Sequence, residues 1–512
     1  MLERLLDTLI GSDAFERLLT ERARPVLARA DAGEDFVVAA LARALQTPVM
    51  VVAAGPREAE PLVRGAEAWL GVDRVAYLAP WEALPYEGIS PSPEVSARRA
   101  EAVRRLRDAD GAFILVTTGL GAMQRIPPTL GATPPVEIRA RVELPPDALA
   151  DRLVDLGYVR ADVVEHRGEF AVRGGVVDVF PGTSRRPVRV EYWGDQIESL
   201  REFSPSSQLS TSSVKGVDIP PVRELITDDA VRQRAAALAP KHLDRIRDGL
   251  QRIADGLHAE GMESFAPLLF DHLPTPAELL PSGSWIVVTQ ARRTRDRARQ
   301  AFDEAETIAV ASAWPGPRVL EPLDEALAGP TQLRLTEFTE GVDLGLTHWG
   351  TAQGNATELA RRAEDLRARG YRVLITAGGH GSLERAREVV GSAATDAIEA
   401  PLAGGFVFAG GKLAVATEED LFGSRRHTRA APRLTKRRQD AIAEELEPGD
   451  YAVHRIHGVA KYAGIHRRAV GGSERDYMVL EYAQGDRLSV PTDQVGMVAR
   501  YIGGDVPRLS RL

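Results

Sequence analysis

Residues 48–70 read PVMVVAAGPREAEPLVRGAEAWL. The apolar run at 49–52 is a short buried strand, Gly55 and Pro56 are turn formers, and residues 58–70 are a helix. The pattern recurs. RVAYLAP and AFILVTT are strand-like, and EVSARRAEAVRRLRDA is a helix with Val95, Ala102, Val103 and Leu106 as its apolar stripe. Strands alternating with helices predict an α/β layer structure with a mainly parallel sheet.

A strand, a glycine and a helix in this order is also how nucleotide-hydrolysing enzymes hold phosphate. That chemistry needs backbone N–H groups freed by glycines, a lysine for the terminal phosphates and a Ser or Thr hydroxyl for magnesium. Here Gly55 is followed by Pro56, Arg57, Glu58 and Ala59. Pro56 has no N–H to give, and Glu58 puts negative charge where phosphate would sit. The lone Gly-Lys pair, Gly411-Lys412, is followed by Leu413, and Asp324-Glu325 lacks the buried strand that should precede a metal-binding acidic pair. The expectation is a phosphate loop in shape only, with no catalytic residue, no cofactor and no metal.

Other chemistry is equally thin. Neither G-x-S-x-G nor H-E-x-x-H occurs. His454 and His457 lie in a strand-like context and read as edge polar residues. The glycines of ITAGGHGSLERAREVV, residues 375–390, read as strand–helix packing. The absence of cysteine excludes disulfides and cysteine–zinc sites and fits a reducing, cytoplasmic compartment. No apolar run approaches the roughly 18 residues of a membrane span. With a net charge of −9, proteins are the expected partners, with DNA contacted weakly at most through this chain.

The 512 residues divide by composition. Residues 1–140 are the first part of the α/β domain and 216–328 its second part. Between them, 141–215 form a small α+β domain with one sheet face toward solvent. In it PVRVEYW alternates, Gly194-Asp195 is a hairpin turn followed by QIESLREF, and the Ser-rich stretch 204–213 closes the domain. A second small α/β domain covers 329–424. A basic linker and helix, 425–446, reads as a solvated charge run. Residues 447–512 are β-rich, with turns at Gly449-Asp450, Gly471-Gly472 and Gly485-Asp486, and predict a small barrel.

Three segments resemble one family. LAPWEALPYEGISPSPEVSARRAEAVRRL, residues 78–106, is similar to the first domain of bacterial transcription-repair coupling factors. LGYVRADVVEHRGEFAVRGGVVDVFPG with RPVRVEYWGDQIESLREF resembles the UvrA-binding domain that those factors share with the excision-repair protein UvrB. LEPGDYAVHRIHGVAKYAGI with DYMVLEYAQGDRLSVPTDQVGMVARYIG resembles their RNA-polymerase-interacting domain, a Tudor-like barrel related to CarD-type regulators. EGMESFAPLL and TEEDLFG match as well.

The resemblance implies a degenerate, helicase-like α/β fold in which Gly55, Pro56, Arg57 and Glu58 bind no nucleotide. It implies UvrA contact through Arg160, Arg173 and Glu191, with Phe170 and Phe180 as structural neighbours. It implies contact with the RNA polymerase β subunit through Tyr462, Ile465, Arg467 and Arg468. The short stretch after Tyr86 leaves no room for the damage-probing hairpin of UvrB. Relatives continue into an ATP-dependent DNA translocase, so the chain reads as the N-terminal half of a longer protein. The expected role is a non-catalytic adaptor between stalled polymerase and excision repair. A UvrB-like helicase subunit and a CarD-type regulator are the alternatives.

Overall fold

The structure is a computed structural model that describes residues 2–242, 244–336, 341–350, 354–402, 404–422, 451–454, 458–470, 473–483, 487–491 and 498–500. The chain forms two compact units, residues 1–424 and 425–512.

The first unit is built on a seven-stranded sheet. Its order is Val342–Asp343, Val26–Arg29, Thr331–Thr336, Trp285–Val288, Pro48–Ala53, Phe113–Thr118, Val75–Leu78, and every pairing is parallel. The run at 48–53 needs burial on both sides because it carries no polar alternation. Val49, Val51 and Ala53 face a core with the helices Glu34–Leu45 and Pro56–Leu70. Met50 and Val52 face another core with the helix Pro93–Arg107.

The chain leaves this sheet after Phe113–Thr118 and returns to it at Trp285–Val288. In between lies a six-stranded sheet of order Ser210–Ser213, Gln196–Phe203, Val188–Trp193, Val176–Val179, Glu169–Arg173, Val159–Arg160. Val188–Trp193 alternates in burial as its sequence demands, and Val177, Val179, Val188, Val190 and Tyr192 pack with Leu149 and Leu153 of the helix Pro146–Asp155. The opposite face is only partly open. Ala171, Phe180 and Phe203 are buried there with Val164, and Arg189 stacks 4.8 Å from the Phe203 ring while binding Asp178 at 2.8 Å. The Ser-rich stretch, expected only to close the domain, supplies the edge strand Ser210–Ser213.

One sequence boundary shifts. Thr331–Thr336, assigned by sequence to the small α/β domain, pairs within the seven-stranded sheet between Val26–Arg29 and Trp285–Val288. The small domain's own five-stranded sheet has the order Leu346–Thr347, Phe406–Phe408, Leu413–Thr417, Arg372–Ala377, Asp396–Glu399. It shares a core with the first domain, where the Phe406 ring lies 4.7 Å from Phe36. Asp324 and Glu325 sit in the short helix Leu323–Ala326, and Asp324 is paired with Arg295 at 3.1 Å.

The second unit contains a five-stranded antiparallel sheet in the order Arg487–Pro491, Ser473–Glu481, Gly458–Val470, Tyr451–His454, Val498–Arg500. One strand is thirteen residues long where shorter ones were expected. Its register shifts between Tyr462 and Gly464, and Gly464 has φ 112°, a value that favours glycine. The expected basic linker and helix at 425–446, and His457, lie outside the described residues.

A buried polar network ties the segment 78–91 to distant parts of the chain. Arg99, in phase with Val95, Ala102 and Leu106, is fully buried and donates to Glu224 at 2.6 Å, to the Ala79 carbonyl at 2.6 Å and to Gln124 at 3.2 Å. The Trp81 indole donates to the same Glu224 oxygen at 2.8 Å. Ser90 donates to Glu263 at 2.6 Å and receives the Gly261 N–H at 2.9 Å. Tyr86 N–H reaches Ser264, and its hydroxyl accepts from the Val319 N–H at 2.8 Å.

Burial raises the Glu263 carboxyl to about 7, with the Ser90 hydrogen bond opposing the shift. The folded chain therefore keeps a proton that the unfolded chain releases near the ordinary value of 4.5. Raising pH from 4.5 through 7 favours the unfolded state, by roughly 3 kcal/mol at about 1.4 kcal/mol per pH unit. Glu263→Gln is expected to match wild type in urea midpoint near pH 4.5 and to exceed it at pH 8. Parallel pH profiles for the two proteins would contradict this.

Candidate functional site

The phosphate-loop position is occupied by the protein's own charges. Gly55 caps the helix Pro56–Leu70 in an extended conformation, at the carboxyl end of Pro48–Ala53, where open parallel sheets commonly bind ligands. Glu58, in the first helical turn, meets Arg293 at 2.9 Å and Arg297 at 3.1 Å. Both arginines come from the helix Ala291–Ala311, and Arg297 also donates to the Ala54 carbonyl at 3.3 Å. A Cβ on Gly55 would lie 2.7 Å from that guanidinium. The glycine makes room for Arg297. Positive charge and a helix N-terminus are both present, as an anion site needs, but the anion is Glu58. Sequence reading found Glu58 and missed its partners, which lie more than 230 residues away and carry no local signal.

The residues expected to meet UvrA lie on the six-stranded sheet. Arg160 is exposed on the edge strand beside Phe170, whereas Arg173 ends the next strand, three residues further on. The two positions are therefore offset by roughly 10 Å along the strand direction and, three residues apart in register, belong to opposite faces of the sheet. Arg173 precedes a two-residue hairpin turn, since Arg173 pairs directly with Val176 across Gly174-Gly175 and Gly174 has φ 58°. Its guanidinium is exposed and donates to the Asp162 carbonyl. Glu191 sits in the same row, opposite Val176 and Ser199. It accepts from the Ser199 hydroxyl and lies 3.7 Å from Arg201, so it is only half-exposed and already partnered. Phe170 is core, and Phe180 is buried under the Arg167 guanidinium at 5.1 Å.

On the five-stranded sheet, Tyr462 is 4 % exposed and packs with Met478, Leu480 and Tyr482. Its side chain holds the sheet together and offers little to a partner. Ile465, Arg467 and Arg468 pair by backbone with Met478, Asp476 and Arg475, and their side chains lie outside the described residues. Tyr451–His454 pairs only with residues 458–461 of the long strand. Among the described residues, 462–470 therefore have a strand on one side and none on the other.

Two further features bear on function. A cavity of about 260 Å³ is lined by Glu101, Arg104, Asp218 and five prolines or threonines among others, just under the ordinary range of ligand pockets. Among the described residues no helix is long and apolar enough to cross a membrane.

Comparison with known proteins bears on both sheets. Residues 136–225 match the family model described as UvrB interaction domain, and residues 446–502 match the CarD-like/TRCF RID domain. The transcription-repair-coupling factor of Mycobacterium tuberculosis is 32% identical over 93% of this chain and 44% of its own length. That of Bacillus subtilis is 26% identical over 92% of the chain and 45% of its own length, and that of Escherichia coli 27% over 84% and 41%. The chain thus spans less than half the length of the relatives it matches. A UvrB interaction domain, a CarD-like RNA-polymerase-interacting domain and similarity over some 93% of the chain together make it a homologue of the N-terminal region of transcription-repair-coupling factors.

Proposed function

We propose that this chain is the adaptor part of a transcription-coupled repair factor, carrying no ATPase of its own. It recruits UvrA through the six-stranded sheet and binds the RNA polymerase β subunit through the five-stranded sheet, which closes as a Tudor-like barrel. The observation that carries the reading is the pairing of two protein-interaction domains with a phosphate loop filled by Glu58, Arg293 and Arg297. Among the described residues one flank of 462–470 has no strand beside it, which suits strand addition, in which main-chain bonds supply affinity and alternate side chains specificity.

Size-exclusion chromatography tests the UvrA half. The chain is expected to co-elute with UvrA without polymerase or nucleotide, and separate elution would remove the assignment. A UvrB-like helicase subunit would instead bind nucleotide. Calorimetry with ATP is expected to give no saturable heat, and micromolar binding would favour the helicase reading.

Ile465→Arg tests the polymerase half. It is expected to abolish pull-down of the β subunit while the circular dichroism spectrum stays native. Retained pull-down would displace the contact from this strand. Tyr462→Ala is a poor substitute, because loss of a buried aromatic weakens the sheet itself.

A further inference from the structure

The chain has six tryptophans. Trp69, Trp81, Trp285, Trp314 and Trp349 are 8 % exposed or less, whereas Trp193 is 79 % exposed. Isolated exposed apolar residues are common on protein surfaces, so exposure alone decides nothing. Its setting does. Val188–Trp193 alternates faces, so Trp193 shares a face with Glu191 and Arg189, opposite Val190 and Tyr192. The register places Arg173, Val176 and Glu191 in one row across three strands, and the Tyr192 N–H bonds the Gly175 carbonyl at 2.9 Å. The hairpin tips at Gly174-Gly175 and Gly194-Asp195 therefore lie at the same end of the sheet. Trp193 stands there two residues beyond the row that ends in Arg173 and two strand spacings across from it, or about 12 Å away.

The two carboxylates in the middle of this face are paired, while Asp195 stands exposed at the hairpin tip. Glu191 is taken up by Ser199 and Arg201, and Asp178 by Arg189. Arg173 gives its hydrogen bond to a neutral carbonyl, which leaves its positive charge open. A sheet face with one large exposed aromatic and one open guanidinium has the composition of an interface anchor, where tryptophan and arginine predominate. The matching partner surface is an apolar pocket bordered by carboxylates.

We infer that Trp193 is the aromatic anchor of the protein interface on this sheet, inserting into an apolar, acid-rimmed pocket of UvrA beside Arg173. The inference rests on the adaptor reading above and adds a residue and a recognition chemistry to it.

The chain is labelled with 5-fluorotryptophan, and the Trp193 resonance is identified by its loss in Trp193→Phe. Adding unlabelled UvrA is expected to shift that resonance and leave the five buried ones in place. Trp193→Ala is expected to weaken UvrA binding at least tenfold. Its thermal midpoint is expected to be unchanged, because the side chain is nearly all in solvent. If wild type and Trp193→Ala bind UvrA equally and the resonance does not move, the anchor is refuted while the adaptor reading stands. If wild type does not bind UvrA, both fall. If light scattering shows wild type alone forming dimers that Trp193→Ala abolishes, the anchor serves a second copy of this chain, and the UvrA assignment of Trp193 is overturned.

Discussion

Arg160→Glu together with Arg173→Glu is expected to weaken the complex with UvrA by well over tenfold. Interfacial arginines often cost about 2 kcal/mol or more when lost, and reversal adds repulsion against an acidic partner. Both guanidiniums are exposed at strand ends, so the fold should tolerate the change. The two positions fall on opposite faces at the sheet edge, hence a partner touching both must reach around the edge strand Val159–Arg160. The single variants are expected to be roughly additive, because side chains this far apart share no partner. Titration of UvrA against wild type, each single variant and the double variant measures this. Equal affinities throughout would take the arginines out of the interface.

Glu224→Ala is expected to destabilise the first unit by about 3–5 kcal/mol, the usual result of stranding one member of a buried ion pair. Arg99 and Glu224 are both fully buried, and the Trp81 indole loses its acceptor in the same change. Replacing Arg99 and Glu224 together by methionine should cost much less, since no charge is then left in the interior. Urea titration followed by circular dichroism distinguishes the two variants. Similar losses for both would mean that shape, and not charge pairing, sets the cost. The network also has a positional consequence. Glu224 lies near the end of the stretch that matches the UvrB interaction domain, and Arg99 lies on the helix Pro93–Arg107 that packs against the seven-stranded sheet. Their bond ties the base of the inserted sheet to the larger one.

Arg99 illustrates what a sequence shows and what it hides. Its phase on the stripe of Val95, Ala102 and Leu106 was visible, and a strict reading of the helical period would have placed it inward. What could not be read was the acceptor, 125 residues on. Glu58 is the same case. Its presence at the phosphate position was evident from the chain, while the guanidiniums that neutralise it arrive from a helix beyond the inserted sheet.

Sequence by itself determined the local periods. The apolar run at 48–53, the alternation in Val188–Trp193 and the turn at Gly194-Asp195 are set by backbone geometry and by burial over a few residues, and the strands and hairpin formed as expected. It also supplied the family resemblance, carried by long unbroken stretches. Tertiary structure decided which strands share a sheet, and therefore moved Thr331–Thr336 out of the small domain and made an edge strand of Ser210–Ser213. It decided that Tyr462 is core and that Trp193, one residue after a buried tyrosine, is the exposed tryptophan. Alternation along a strand says only that neighbours face opposite ways. Which face meets solvent depends on what packs across it, and those partners are distant in the chain.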